Sequence, residues 1–305
     1  MTQNNHQPLV AIAIVNWNRP LDTIECLESL DAITYKNHKT IVVDNGSDDG
    51  SPERIHAAAP GVEMLVNPSN LGFAAGINVG IVRALELGAA YVLLLNNDTV
   101  VDPGFLEPLV AVCEECRQIS IVGPRVYCFG TRRLFSSGGW PRRFLPLLVR
   151  QVHPMAHEED VPLGSPQEVV YVWGQAMLIR GEVFERIGVF DCGFFMYYED
   201  CDFCLRALRA GFRVFYVPQS RIWHKVEHST RGNEWMRWRY KIASMLRFHC
   251  KYARWGMVQA ALQTTLTLLG VGLRELERGN RRWVIYPLAE LWRKTLGMRR
   301  GSSIK

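Results

Sequence analysis

Four apolar runs in the first hundred residues break off into side chains of the kind that hold ligands. "AIAIV" ends on Asn16-Trp17-Asn18 and "TIVV" on Asp44-Asn45-Gly46-Ser47-Asp48-Asp49-Gly50. "EMLV" ends on Asn67, with Asn70 close behind, and "YVLLL" on Asn96-Asn97-Asp98. Carboxylates accept hydrogen bonds, protons or hard cations, and carboxamides both donate and accept. Any one such end is explained by turn chemistry, because Asn and Asp bond their own backbone. A later burst, Glu199-Asp200-Cys201-Asp202, suits a helix start, where acids serve the cap and the dipole. Asp202 also stands four residues before Arg206, the spacing of an ion pair on one helix face. His224 follows an apolar run, where a histidine is ordinarily structural.

The elements that position these residues alternate. Strands are predicted over 9–15, 39–44, 62–67, 91–96 and 120–124. Helices are predicted from Pro20 to about Leu30, from Ser51, over 73–88 and from Pro103 to about Cys116, with Pro20 suited to a first turn. Strands alternating with helices of ten or more residues imply parallel βαβ units and a sheet covered on both faces. In such a sheet ligands bind beyond the carboxyl ends of the strands. All four polar ends therefore converge on one rim, a polar cleft suited to a nucleotide-like ligand.

Several chemistries are excluded. The Gly-x-Gly-x-x-Gly of dinucleotide binding and the Gly-Lys-Ser/Thr phosphate loop are missing. "DNGSDDGS" fails as a calcium loop, since its sixth position is Asp49 rather than Gly and its twelfth Ile55 rather than Glu. The eight cysteines include Cys113/Cys116 and Cys201/Cys204, but both pairs fall in helical patterns, without the tight turns of zinc knuckles. Free thiols are the expectation.

In order along residues 8–228 stand "VAIAIVNWNR", "IVVDNGSDDGS", "NLGFAAGINVG", "LLLNNDTVVDP", "WGQAMLIRGEVFERIGVFDCGFFMYYEDCDFCLRALRAGF" and "VPQSRIWH". The ordered set resembles family 2 glycosyltransferases of GT-A fold, most closely the rhamnosyltransferase-type members that build cell-envelope polysaccharides. The resemblance implies an α/β domain over residues 1–230 with a Rossmann-like, doubly wound, mostly parallel sheet. It implies a metal-dependent inverting transfer of a sugar from a dTDP- or UDP-sugar to a hydroxyl of a lipid-linked saccharide. Mg2+ or Mn2+ would be held by Asp98 and His224, although Asn96-Asn97-Asp98 departs from the usual Asp-x-Asp. Asp44 matches the acid that meets the imide N–H of uracil or thymine, which an acceptor-only carboxylate suits. Trp17 would flank the base, and Asn70 and Asn78 would reach the ribose or diphosphate. Asn16 and Asn97 join that substrate-binding set. Asp200 matches the base that takes the acceptor's proton, with Glu199 on another acceptor hydroxyl and Trp173-Gly174 lining the acceptor pocket. A nucleotidyltransferase or a silent nucleotide-sugar binder would share the cleft but need no base at Asp200.

Charge divides the chain. Residues 231–305 hold 16 Lys and Arg against 4 Asp and Glu, a net of +12, leaving −7 for residues 1–230. This basic, helical extension, with Trp235, Trp238, Trp255, Trp283 and Trp292, suits an anionic membrane surface. Nucleic acid is not expected, because no nucleic-acid module is recognised. The run 257–273 is short and interrupted by Gln and Thr, so a surface helix is expected rather than a span. The N-terminus shows no basic n-region, which places synthesis in the cytosol and the protein on the membrane's cytoplasmic face. Residues 125–168, rich in Pro and Gly, yield no motif; they are expected to form a mobile flap that varies with the acceptor.

Overall fold

The computed structural model describes residues 7–142, 145–151, 155–225 and 234–252, together with seven positions between 258 and 269. The chain divides into two compact units, Met1–Ser229 and Thr230–Lys305.

The first unit opens with the expected alternation: β1 (Val10–Asn16), α1 (Pro20–Asp31), β2 (His38–Asp44), α2 (Ser51–Ala58), β3 (Glu63–Val66), α3 (Phe73–Glu86) and β4 (Tyr91–Asn96). β1 lies between β2 and β4, parallel to both, and β3 extends the sheet beyond β2. Every residue of β1 is buried. Val10, Ile12 and Ile14 enter one core and Ala11, Ala13 and Val15 the other, as strand alternation requires for a sheet covered twice. α1 carries Pro at its first turn, and its buried stripe is Pro20, Thr23, Cys26, Leu27 and Leu30. Four of these are apolar or nearly so; Thr23 breaks the pattern.

Beyond β4 the topology departs from a simple parallel series. β5 (Thr99–Val101) and α4 (Leu106–Glu115) lead to β6 (Ile119–Cys128), longer than the 120–124 expected. β6 does not pair with β4. Between them lies β11 (Ala176–Arg180), antiparallel to both. An apolar strand buried on both faces reads alike in either direction, so its sequence does not reveal this reversal. The sheet order is β10-β12-β6-β11-β4-β1-β2-β3, where β10 is Gln167–Val169 and β12 is Arg213–His224. β5 adds to β12, and β7 (Leu134–Ser136) adds to β6. Helices α5 (Gly181–Ile187) and α6 (Glu199–Arg209) lie between β11 and β12 in sequence.

Residues 125–168, expected as a flap, contain β7, the hairpin β8 (Gly139–Arg142) and β9 (Leu145–Gln151), a 3-10 turn at Glu158–Asp160, and the start of β10. Residues 143–144 and 152–154 lie outside the described part. Arg125 anchors the segment from beneath. Its fully buried guanidinium donates to the carbonyls of Glu158, Val161 and Pro162, while Tyr127 donates to Glu158 at 2.8 Å.

In the second unit α7 (Glu234–Tyr252) is a 19-residue helix. Among the described residues no helix is long and apolar enough to cross a membrane. Most of 257–273, and all of 270–305, lie outside the described residues.

Candidate active site

The strand ends meet as expected, and a buried hydrogen-bond network decides what each does. At the end of β2, Asp44 is fully buried. Its Oδ1 accepts from Asn16 Nδ2 at 2.7 Å and from Ser47 Oγ at 2.6 Å, and its Oδ2 accepts from Ser47 N at 2.9 Å. Gly46 makes this loop possible. Its φ is +72°, and an added Cβ would stand 2.4 Å from Ser69 Cα, so a side chain is barred by both strain and space. Asn18 (φ 52°) and Asp48 close the loop with reciprocal bonds of 2.8 and 3.0 Å. Trp17 stands at the rim, 39% exposed. Asn45 gathers the neighbouring segment, donating to Asn70 Oδ1 and to the Gly72 carbonyl and accepting from Asn67.

Asn78 does not join this set. It lies on the buried face of α3, and its carboxamide clamps the backbone of Phe190, donating to the carbonyl at 2.9 Å and accepting from the N–H at 3.0 Å. With both ends committed there, its role is to tie α3 to the segment before α6, not to reach a ribose. Asn16 and Asn97 also point into the protein: Thr23 Oγ1 donates to Asn16 Oδ1 at 2.8 Å, and Asn97 Nδ2 donates to Thr23 Oγ1 at 3.0 Å.

At the end of β4, Asp98 Oδ1 lies 3.1 Å from His224 Nε2, both side chains buried. Asn96 Nδ2 approaches the same ring nitrogen at 3.5 Å. Residues 126 positions apart meet because β5 pairs antiparallel with the end of β12, setting His224 opposite Thr99. Lys225 N donates to the Asp98 carbonyl, and Lys225 Nζ, nearly buried, bonds Asp22 at 2.7 Å and Glu25 at 2.5 Å on α1. His224 Nδ1 is buried without a partner. A carboxylate oxygen and an imidazole nitrogen facing one another are a donor pair that fits a divalent cation; the mixed O/N set suits Mn2+ better than the all-oxygen shell Mg2+ prefers. Among the described residues no group of three or more His, Cys, Asp and Glu could enclose a metal, and the cysteines of both Cys-x-x-Cys pairs are free thiols.

The third component is the start of α6. Tyr197 and Tyr198 have φ of 72° and 68°, a conformation that bulky residues rarely adopt and that turns the chain sharply into the helix. Asp200 Oδ1 accepts from Cys201 N at 2.7 Å and Oδ2 from Gly174 N at 3.1 Å. One residue on, the Gln175 carbonyl accepts from Asn96 N, so a single short segment links the acid to the Asn-Asn-Asp strand end. Asp202 is spent on Arg206 at 2.9 Å, as its spacing implied. Burial raises the Asp200 carboxyl above its usual range, opposed by its bonds to the Gly174 and Cys201 N–H groups. Burial, then the Asp200 charge, raises Glu199 well above its own. Both carboxyls are therefore held above the ordinary carboxylate range.

This pair carries a stability signature. A carboxyl raised in the fold contributes stability below its unfolded pKa and loses it as pH rises through the folded one. Glu199→Gln removes that ionisation, so its melting temperature relative to wild type is expected to climb as pH rises above the ordinary carboxylate range. A pH-independent difference in thermal melts would refute the assignment.

Four polar atoms on these segments are buried without a partner, Trp173 Nε1, Gln175 Oε1, Glu199 Oε2 and His224 Nδ1. Buried polar groups are seldom left unpaired. Phe135, on β7, lies 5.4 Å from the His224 ring and 6.3 Å from Trp173, between the Asp98–His224 pair and the segment that holds Asp200. Nothing in the pattern of residues 125–168 marked it.

A family model for glycosyl transferase family 2 matches residues 11–188, well over half the chain. The chain belongs to this family. Among relatives, an N-acetylglucosaminyl-diphospho-decaprenol L-rhamnosyltransferase of Mycobacterium tuberculosis is 27% identical over 220 residues, spanning 67% of this chain and 72% of the relative. The rhamnosyltransferase WbbL of Escherichia coli is 27% identical over 255 residues, 79% of this chain and 92% of the relative. The fold matches a mannosyltransferase from Pyrobaculum calidifontis, solved with GDP-Man and Mn2+, at a TM-score of 0.61 and 15% identity, covering 97% and 89% of the two chains. The fold is thus GT-A, and the family 2 chain is a glycosyltransferase.

Proposed function

We propose that this glycosyltransferase moves a deoxyhexose, rhamnose or a close analogue, from a dTDP- or UDP-sugar to a hydroxyl of a lipid-linked saccharide, with inversion. The observation that carries the reading is the linkage of the two acidic centres, Asp98–His224 and Asp200, through residues 173–175. The similarity to rhamnosyltransferases supports the sugar and the acceptor class.

Each part of the chain then has a task. Asp98 and His224 would hold the cation, which stabilises charge on the leaving diphosphate as a Lewis acid. Asp200 accepts the proton of the attacking hydroxyl; raised by burial, it is a stronger base than a solvated carboxylate. Glu199 bonds a second acceptor hydroxyl. Trp17 offers its face to the base. On the Asp44 carboxylate three of roughly four acceptor positions are taken. The Ser47 hydroxyl is the contact that side-chain rotation alone removes, opening the carboxylate to the imide N–H. Phe135 and Trp173 form an apolar wall for the sugar.

The basic extension would hold the protein at an anionic membrane on its cytoplasmic face, where a lipid-linked acceptor is presented. Co-sedimentation with anionic but not neutral vesicles is expected, weakening as salt screens the charge. Deleting residues 231–305 is expected to lower transfer to a lipid-linked acceptor more than it lowers nucleotide binding. Equal binding to both vesicle types would remove the electrostatic part. The reading as a whole is tested by incubating dTDP- and UDP-sugars with Mn2+ and lipid-linked acceptors. Free nucleoside diphosphate with a glycosylated lipid supports it; pyrophosphate release would instead mark nucleotidyl transfer.

A further inference from the structure

Thr23 is a hydroxyl on an otherwise apolar helix stripe, fully buried, and it touches both halves of the cleft at once. The direction of its shortest bonds follows from donor and acceptor chemistry. The Asp44 carboxylate only accepts, so the Asn16 group 2.7 Å away must be its NH2. That turns the Asn16 carbonyl toward Thr23, whose hydroxyl must then donate its single proton at 2.8 Å. With the proton committed, only lone pairs remain to face Asn97, which must donate, as its Nδ2 does at 3.0 Å. The Thr23 hydroxyl also lies 3.1 Å from the Arg19 carbonyl, a longer alternative for the same proton. The result is one directed chain, Asn97 to Thr23 to Asn16 to Asp44, ending on an anion, with every member buried. Hydrogen bonds aligned in this way polarise and strengthen one another.

We propose that Thr23 is a positioning residue that locks the loop of Asp44, on the base side, to the Asn97-Asp98 turn, on the metal side. This rests on the nucleotide-sugar reading above. It also explains why position 97 carries a carboxamide. An aspartate there cannot donate, so it would draw the Thr23 proton to itself and leave the Asn16 carbonyl without a donor.

The test is calorimetry on the full-length protein with two independent readouts. The preference for UDP over CDP without metal reports the base side, and the gain in UDP affinity on adding Mn2+ reports the metal side. Thr23→Val, which keeps the shape and removes the hydroxyl, is expected to lower both by on the order of 10-fold, as loss of outer partners does at metal sites. Thr23→Ser should restore both. Asn97→Asp supplies a second route should the valine variant fold poorly. It is expected to lower the base preference although residue 97 touches neither Asp44 nor Asn16. Loss of only one readout in Thr23→Val, failure of Ser to rescue, or an unchanged base preference in Asn97→Asp would overturn the linkage. Absence of both base preference and Mn2+ gain in the wild type would instead sink the nucleotide-sugar reading, and the linkage with it.

Discussion

Asp200→Asn is expected to reduce turnover by a factor on the order of 10² to 10⁴ while nucleotide binding survives. In barrier terms this is about 3 to 5 kcal/mol. The side chain is nearly isosteric, but an amide cannot take up the acceptor's proton. It also cannot reproduce both present contacts, since the Gly174 and Cys201 N–H groups each need an acceptor and the new NH2 would face one of them. Some loss of thermal stability should therefore accompany the kinetic loss, and the two are separated by comparing melts with rates at saturating donor. The raised Asp200 carboxyl gives a further mark. A base must be ionised, so activity rises with pH along the acid limb of the profile. That limb is expected above the ordinary carboxylate range and should vanish in the variant. Near-normal turnover in Asp200→Asn would move the role to Glu199, because Asp202 is occupied by Arg206.

How far the sequence led depended on what kind of signal each part carried. The βα rhythm up to β4 was legible because each strand is a short apolar run and each helix an amphipathic stripe. The antiparallel insertion of β11 was not, because "AMLIR" has the same composition whichever way it runs. The Asp98–His224 meeting came from motif resemblance; the strand geometry that produces it, β5 folded back on β12, leaves no mark in either segment alone. Carboxamides were the hardest to assign. Asn16, Asn78 and Asn97 read as ligand contacts, yet Asn16 and Asn78 commit both ends of the carboxamide inside the protein and Asn97 gives its Nδ2 to Thr23. An Asn at a strand end looks the same whether its partner is a ligand or a buried backbone group. Thr23 did carry a signal, a polar residue on the stripe of Cys26, Leu27 and Leu30, and that anomaly marks the center of the network.

Asp98→Ala is expected to abolish the metal-dependent part of nucleotide binding, a loss of more than about 100-fold, which is the upper end for removing a mere outer partner. His224→Ala is expected to cost less, about 10- to 100-fold. The order follows from charge. A carboxylate brings a full negative charge to a dication in a buried setting where screening is weak, whereas a neutral imidazole brings only a lone pair. The neighbouring strand-end side chains, Asn96 and Asn97, are uncharged, and Asn97 is held by Thr23, so neither replaces the lost carboxylate. Calorimetry of a nucleoside diphosphate with and without Mn2+ separates the effects, because affinity without metal should be unchanged in both variants. Equal losses would mean that the imidazole matters as much as the charge. Unchanged Mn2+-dependent affinity in Asp98→Ala would place the cation elsewhere and leave the 3.1 Å Asp98–His224 contact as an ordinary structural hydrogen bond between β12 and the β4–β5 turn.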